Sequence, residues 1–454
     1  MQNKVLIANR GEIALRIIRA CKESGIQCVA IYSKADQDSL HVKFADEAIC
    51  VGDNYSKDSY LNINRIISAA LSTGCIAIHP GYGFLSENEK FASIVEKCNI
   101  KFIGPSSDVI AKLGNKSMAR KIAKEAKIPI VEGSEDAVHD ALEGAAVANR
   151  IGYPVLIKAV SGGGGKGIRI VKNEEEFLKL FEQTRFEAEA NFGDSSVYIE
   201  KYIQDPRHIE IQILADSFGN VIHLGERDCS VQRRNQKMIE EAPSPFVNEL
   251  LRQSMGNAAI RLAKAIKYEN AGTVEFIVDK EGKYYFIEMN TRIQVEHPVT
   301  EMVTSIDIVK EQLKIAYKSE LSYKQKDVKI QGYAIECRIN AEDTSQKFRP
   351  SPGLINNIVY PGGNGVRVDT HIYGGYFVPP YYDSMLAKLI VHGNTRREAI
   401  RKMRVALEQF IIDGISTNIE FQYLIMHNPD FVKGTYNTGF IKKFMTMIEG
   451  DQGE

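Results

Sequence analysis

Hydrophobic and polar positions change period several times along this 454-residue chain, and the changes mark its elements. In the first third, short apolar runs alternate with stretches whose apolar residues recur every three or four positions. The pattern predicts strands at 5–8, 28–33, 77–79 and 102–103, and helices at 13–24, 63–72 and 91–98. Strands alternating with helices imply a small doubly wound α/β domain ending near Gly114. A helix at 116–126 leads into two β-rich runs, 155–160 and 168–171, with another strand at 197–199. From 208 onward strands dominate: 208–214 alternates His208, Glu210 and Gln212 against Ile209, Ile211 and Ile213. Helices at 248–266 and 307–317 pack on these strands, and the last part mixes strands 332–340 and 385–392 with helix 396–411. The expected fold class is therefore α/β and α+β. The expected domains are an N-terminal α/β domain 1–114, a region 115–317 carrying a glycine-rich lid at about 131–203, a C-terminal mixed domain 318–446 and a flexible, acid-rich tail 447–454. No internal repeat or low-complexity tract is present.

The richest stretch, residues 286–303, reads FIEMNTRIQVEHPVTEMV. In an extended strand Glu288, Asn290, Arg292, Gln294 and Glu296 share one surface, with Ile287, Met289, Thr291, Ile293 and Val295 on the other. A half-exposed strand with a polar solvent face would look similar. The alternative is a catalytic wall. Upstream, residues 272–279 read as a strand, and a two-residue Glu281-Gly282 turn joins it to 283–289. That turn opposes positions summing to 563, so Glu275 faces Glu288. Two carboxylates about 5 Å apart across an antiparallel pair repel unless a cation lies between them. Oxygen ligands with Asn290 nearby suit Mg²⁺ or Mn²⁺ better than zinc.

Residues 161–167, Ser-Gly-Gly-Gly-Gly-Lys-Gly, lie between two strands and so tip a hairpin. A Walker A loop needs Gly-Lys followed by Ser or Thr and a helix, whereas Lys166 precedes Gly167 and a strand. The dinucleotide fingerprint also fails, since the first strand runs into residues 9–14 with one glycine. A plain flexible turn would tolerate four glycines. So would a closing phosphate lid, whose amides must approach an anion, and Lys158 and Lys166 supply cations for it. Glu200-Lys-Tyr-Ile203 ends a strand with a charged-then-apolar pattern that could seat an adenine.

Lys plus Arg total 57 against 58 Asp plus Glu, so nothing argues for nucleic acid. Seven cysteines fall singly without a C-x-x-C pair, which reads as reduced thiols in a cytoplasmic protein. No apolar run nears the roughly 20 residues of a membrane span, and the chain opens directly on a strand. Export and insertion are both unexpected.

Residues 9–14, 79–88, 162–167, 232–234, 288–298 and 338–342 together resemble biotin carboxylase, an ATP-grasp enzyme, in the same order from residue 1 to about 445. The resemblance implies carboxylation of biotin on a carrier protein at the expense of ATP and bicarbonate. It places Lys116, Lys158, Gly163, Gly164, Glu200, Lys201, Ile203, His208 and Asn235 with Glu275 and Glu288 around ATP. Glu275, Glu288 and Asn290 match the metal site, for two Mg²⁺ or Mn²⁺ ions. Lys237, Arg292, Gln294, Val295 and Glu296 match the bicarbonate pocket, with Glu296 as base, and Tyr82 and Arg338 match the biotin pocket. Lys237, Arg292, Glu296 and Arg338 are the implied catalytic set. Two positions depart from the family: Asn235, where relatives often have His, and Asn364, in a loop that often carries an aromatic at the dimer interface. The implied partners are a biotin carboxyl carrier protein, carboxyltransferase subunits and a second copy of the chain. No Ala-Met-Lys-Met-like tetrapeptide occurs, so the carrier is expected as a separate chain. Acetyl-CoA carboxylase is the first expectation for the whole enzyme, with pyruvate and propionyl-CoA carboxylases as alternatives.

Other readings stay open on residues alone. A carbamoyl-phosphate or purine-pathway ATP-grasp ligase would share the metal strand and the glycine loop. A nonenzymatic nucleotide sensor would bind ATP without turnover, and acids near several cations also form purely structural ion clusters.

Overall fold

The computed structural model describes residues 3–160 and 167–451. Its N-terminal part is a five-stranded parallel sheet in the order Glu47–Gly52, Gln27–Ser33, Lys4–Ile7, Ala77–His79, Lys101–Phe102. The order reverses between Lys4–Ile7 and Ala77–His79, and such a switch point leaves a crevice beyond the strand ends. Here the two following loops are tied together: the Asn9 side-chain amide donates to the carbonyls of Pro80 and Tyr82, both at 2.7 Å. The strand Glu47–Gly52 has no counterpart in the sequence reading because it is an edge strand, exposed at half of its positions and buried at one.

The rest is organised on one antiparallel sheet of eight strands. Their order is Tyr284–Asn290, Asn270–Val278, Arg207–Ala215, Val221–Arg233, Gln236–Ala242, Tyr333–Asn340, Met385–Gly393, Val366–Thr370. Strands from both sides of residue 317 therefore share one sheet. One face is apolar throughout. Ile209, Ile211, Ile213, Val274 and Phe276 pack beneath helix Glu249–Ala265, and Ile335, Cys337 and Ile339 beneath helices Arg396–Gln409 and Ile419–His427. The opposite face carries Glu210, Gln212, Arg227, Glu240, Thr273, Glu275, Glu336 and Lys388, all buried. Burying so many charges costs several kcal/mol per ion unless each is paired. A sheet face that accepts this cost is a site.

A three-stranded sheet, Ile168–Val171, Val155–Ala159, Val197–Lys201, forms with helices Ala141–Ile151 and Glu174–Phe192 a separate layer with its own core, including Ile157, Phe177, Phe181 and Ile199. Lys158 pairs with Ile168, and the Ala159 N–H donates to the Gly167 carbonyl at 2.9 Å, so the two strands do form a hairpin. Its tip, including Gly163, Gly164 and Lys166, lies outside the described residues. The C-terminal tail corrects the sequence reading. Residues 447–451 belong to helix Phe440–Asp451, which docks through Phe440, Ile441 and Phe444 onto the core that holds Phe421 and Phe431. The acidic end hid an amphipathic helix.

Candidate active site

The hairpin carrying Glu275 and Glu288 pairs as expected, but for a different reason. Near the turn the register is Val278 with Tyr284, Ile277 with Tyr285 and Phe276 with Phe286, one residue out of phase with a two-residue turn. Ile287 is then an extra residue on its strand, and beyond this β-bulge Glu275 faces Glu288, Val274 faces Met289 and Thr273 faces Asn290. The bulge also undoes the alternation expected for Ile287: it and Glu288 line the same cavity. The strand stops at Asn290, so the five polar residues from 288 to 296 do not share one extended face. Arg292 and Gln294 sit in the bend before helix His297–Thr304, and Glu296 is its N-cap residue. From the bend Gln294 reaches Glu275 and Glu296 reaches Lys237.

Lys237 is the hub. Its Nζ donates to Glu210 at 2.5 Å, Glu296 at 2.6 Å and Glu275 at 2.9 Å. Glu275 also accepts from Asn290 and from Gln294, each at 2.9 Å. His208 Nε2 lies 2.9 Å from its other oxygen, at an angle that makes an ion contact and not an aligned hydrogen bond. Sheet register sets this up, because Glu288, Glu275, Glu210 and Arg227 oppose one another across four successive strands. Arg227, wholly buried, donates to Glu210, Gln212, Thr273, Gln294 and Thr300. Burial works against ionising Glu275, but Lys237 and His208 outweigh it and hold its pKa well below the ordinary carboxylate value. Glu288 goes the other way: burial and the facing Glu275 raise it. Glu296 is buried too, yet Lys237, Arg338 and Arg227 keep it ionised.

Two cavities flank this cluster. One, of about 500 Å³, lies between the small sheet and the large one and is lined by Lys116, Arg120, Lys158, Glu200, Lys201, Ile203, Ile287 and Glu288. Asn115 caps the helix Lys116–Glu125 by accepting from the Met118 N–H, which puts Lys116 at the helix start with no acid in the first turn. A cation there opposes the helix dipole, and an anion relieves both. Glu200 takes Arg120 at 2.7 Å and also Lys158, and Lys201 donates to the carbonyls of Gly152 and Tyr153 at 2.8 and 3.2 Å. The other cavity, about 520 Å³, opens at the switch point of the parallel sheet and is lined by Tyr82, Arg292, Val295 and Arg338 with Asn9 and Glu12. Arg338 donates to Glu240 at 2.6 Å and to Glu296 at 2.9 Å. Tyr82 donates to Glu12, and Lys388 joins Glu12 to the Val295 carbonyl at 3.0 Å.

Asn235 stands apart. With Arg234 it forms the two-residue tip of the hairpin between Val221–Arg233 and Gln236–Ala242, both residues at positive φ, where asparagine is among the best-tolerated side chains. It is exposed and lines neither cavity. Several residues that build the site were not singled out from sequence. Glu210 belonged to the alternating polar face of its strand, and Glu87 to the 79–88 motif. Glu87 accepts from the Thr291 N–H and from Arg292 Nε, both at 2.9 Å, and so clamps the bend. The donor set of Glu275, Glu288 and Asn290 is all oxygen, and a divalent cation between the facing carboxylates would remove the repulsion that raises Glu288. These residues fit Mg²⁺ or Mn²⁺. Among the described residues no helix is long and apolar enough to cross a membrane, and all seven cysteines are free thiols.

The arrangement, a small sheet over an antiparallel sheet with cations on one side and a carboxylate pair on the other, defines a ligase of the ATP-grasp class. Family models agree region by region: biotin carboxylase N-terminal domain over 1–110, the ATP-binding domain of carbamoyl-phosphate synthase L chain over 115–324, and biotin carboxylase C-terminal domain over 336–443. Biotin carboxylase 1 of Bacillus subtilis is 57% identical over 448 residues, 98% of this chain and 100% of that protein. A pyruvate carboxylase subunit from Methanothermobacter thermautotrophicus is 51% identical over 451 residues, 99% of this chain and 92% of that one. A crystal structure of the biotin carboxylase domain dimer of Hydrogenobacter thermophilus 2-oxoglutarate carboxylase, with MgADP, ADP and bicarbonate, superposes with TM-score 0.92 at 51% identity, covering 98% of both chains. The chain belongs to the biotin carboxylase family. It is an ATP-dependent ligase.

Proposed function

We infer that the chain carboxylates biotin on a separate carrier protein, using ATP and bicarbonate through carboxyphosphate. The observation that carries this is Lys237, held among Glu275, Glu210 and Glu296 between two cavities, one rich in lysines and one walled by Arg292 and Arg338. Bicarbonate is a poor electrophile and must first be phosphorylated. Lys116, Lys158, Lys201, Glu200 and Ile203 are suited to ATP, Lys116 and Lys158 meeting its phosphates and the segment from Glu200 to Ile203 its base, with Gly163 and Gly164 as the lid over them. Lys237 and Arg292 would fix the bicarbonate anion for in-line attack, beside Gln294 and Val295. Glu296, ionised and adjacent, is the base that takes its proton. Mg²⁺ held by Glu275, Glu288 and Asn290 would supply charge neutralisation for the transferring phosphoryl group. Carboxyphosphate breaks to CO₂ and phosphate, the phosphate takes the proton of biotin's ring nitrogen, and Arg338 donates to the ureido oxygen that becomes negative, with Tyr82 alongside.

The reading extends to a cytoplasmic homodimer serving a carboxyltransferase. Both a stand-alone biotin carboxylase and a pyruvate carboxylase component stand among the relatives, and acetyl-CoA is the acceptor we favour. Purified protein with free biotin tests the core of this proposal: ATP cleavage should depend on bicarbonate, and carboxybiotin should form. Bicarbonate-independent cleavage, or none, refutes it. Co-purification from cells, read for a biotinylated carrier and the carboxyltransferase that accompanies it, identifies the acceptor.

A further inference from the structure

The buried face of the large sheet holds a second pair of facing acids that the reaction above does not use. Glu240 and Glu336 oppose each other directly in the register of strands Gln236–Ala242 and Tyr333–Asn340. Both are wholly buried. Glu240 gives one oxygen to Arg338, while its second oxygen and both oxygens of Glu336 have no hydrogen-bond partner among the described residues. Orphaned carboxylate oxygens in a dry interior cost several kcal/mol, and cross-strand acids at this spacing cannot both stay ionised cheaply. A proton held between them relieves the repulsion and gives two of these three oxygens a partner. Burial pushes the same two groups upward, Glu240 to about 7 even though Arg338 opposes the shift, and Glu336 well above the usual carboxylate range.

We propose that Glu240 and Glu336 share one proton and, as an acid–carboxylate pair, position Arg338 for biotin. The groups that face the pair are Arg338, Lys237 and Lys388 on the positive side, Glu296 on the negative side, and the neutral Tyr82, Cys229 and Cys337. With one proton in the pair, Arg338 faces Glu240 and Glu296 and keeps part of its charge for the ureido oxygen that becomes negative. Once the proton leaves, a third carboxylate competes for the same guanidinium and draws it back into the sheet. Glu240 and Glu336 are thus positioning residues, neither touching substrate. The inference rests on the assignment of Arg338 to the biotin half-reaction and adds its pH control.

The test compares the wild-type protein with Glu336→Gln, whose amide imitates the protonated acid and cannot titrate. Carboxybiotin formed per ATP cleaved should fall about tenfold in the wild type between about pH 7 and about pH 9, and stay nearly level in the variant. Difference infrared spectra at neutral pH should show one protonated-carboxyl band lost from the variant. If no such band is lost, the shared proton does not exist, whatever Arg338 does. If the band is lost but the alkaline fall persists, the pair does not position Arg338. Glu336→Met, which also removes the ionisable group, replaces the glutamine variant in both measurements should that one fail to fold. The infrared readout is independent of activity, so a failure of the biotin assignment is separable from a failure of the acid pair.

Discussion

The lid-side cavity and the centre of the large sheet carry opposite excesses of charge. Around the cavity stand Lys116, Arg120, Lys158 and Lys201 with Glu200 and Asp205. On the sheet, Glu210, Glu275, Glu288 and Glu296 surround Lys237 and Arg227. At 4 Å and an effective dielectric of about 20, each like-charge contact costs about 4 kcal/mol. Neither region can relax alone. Together they are complementary halves of a receptor for a polyanion and its divalent counter-ion, and Glu288, at the lip of the cavity and across from Glu275, joins them. The lesson is that an ion cluster in a binding site is recognisable by what it leaves uncompensated. A purely structural cluster would balance its charges locally.

The comparison breaks most sharply at Glu288. Glu288→Gln should lower bicarbonate-dependent ATP turnover about a thousandfold, equivalent to about 4 kcal/mol of lost transition-state stabilisation. The variant should unfold no earlier than the parent in a thermal melt, because it removes repulsion across the strand pair. Near-normal turnover at ordinary magnesium would show that the sheet acids are structural.

Next in size is Arg338→Gln, read as phosphate release and biotin carboxylation side by side. Carboxybiotin formation should fall about a hundredfold, about 3 kcal/mol, with bicarbonate-dependent ATP cleavage retained. A parallel fall in both would place Arg338 in the shared phosphorylation site.

The cavity's own balance is tested by Glu200→Gln, which leaves Arg120 and Lys158 without their carboxylate. The KM for ATP should shift about tenfold while kcat changes little. Although burial opposes it, Lys158 and Arg120 hold the Glu200 pKa below its ordinary 4.5. Its stabilisation is therefore present above pH 4.5 and lost as pH falls through the lowered value. Urea midpoints measured down the acid range should fall less steeply in the variant, and parallel curves would mean that Glu200 stabilises nothing.

The smallest effect is expected at Asn235→His. A bulkier side chain at positive φ should cost up to about 1 kcal/mol by denaturant unfolding, with the KM for ATP unchanged. A lower KM would mean that this exposed turn reaches the nucleotide after all.

Much of this was legible in the chain. The parallel sheet followed from alternating periods, and the Glu275–Glu288 pair from a turn and a two-residue repeat. The pair came out right through two compensating departures, a turn out of phase and a bulge that restores it. What stayed hidden has a common cause. Arg227 lies on a strand whose register shifts between His223 and Glu226 and whose two faces are both buried, so no alternation distinguishes it. Lys388 is one lysine in the apolar run MLAKLIVHG, and its partner Glu12 comes from the other end of the chain. Long-range pairing leaves no local period, and that is where sequence reading ends.

The extra residue at Ile287 has a consequence for how this site can be altered. Substitution alone cannot move Glu288 to the far face of the sheet or bring it back. Only a change in chain length can, because one residue gained shifts the phase of everything after it. The strand is thus permissive to changes of residue type at fixed length, and its spare residue cushions a single-codon deletion but not an insertion. Loss of any one residue between the turn and Glu288 would absorb the bulge and carry the Val278–Tyr284 register straight through to Glu275 and Glu288, whereas one residue gained there would put Glu288 out of phase.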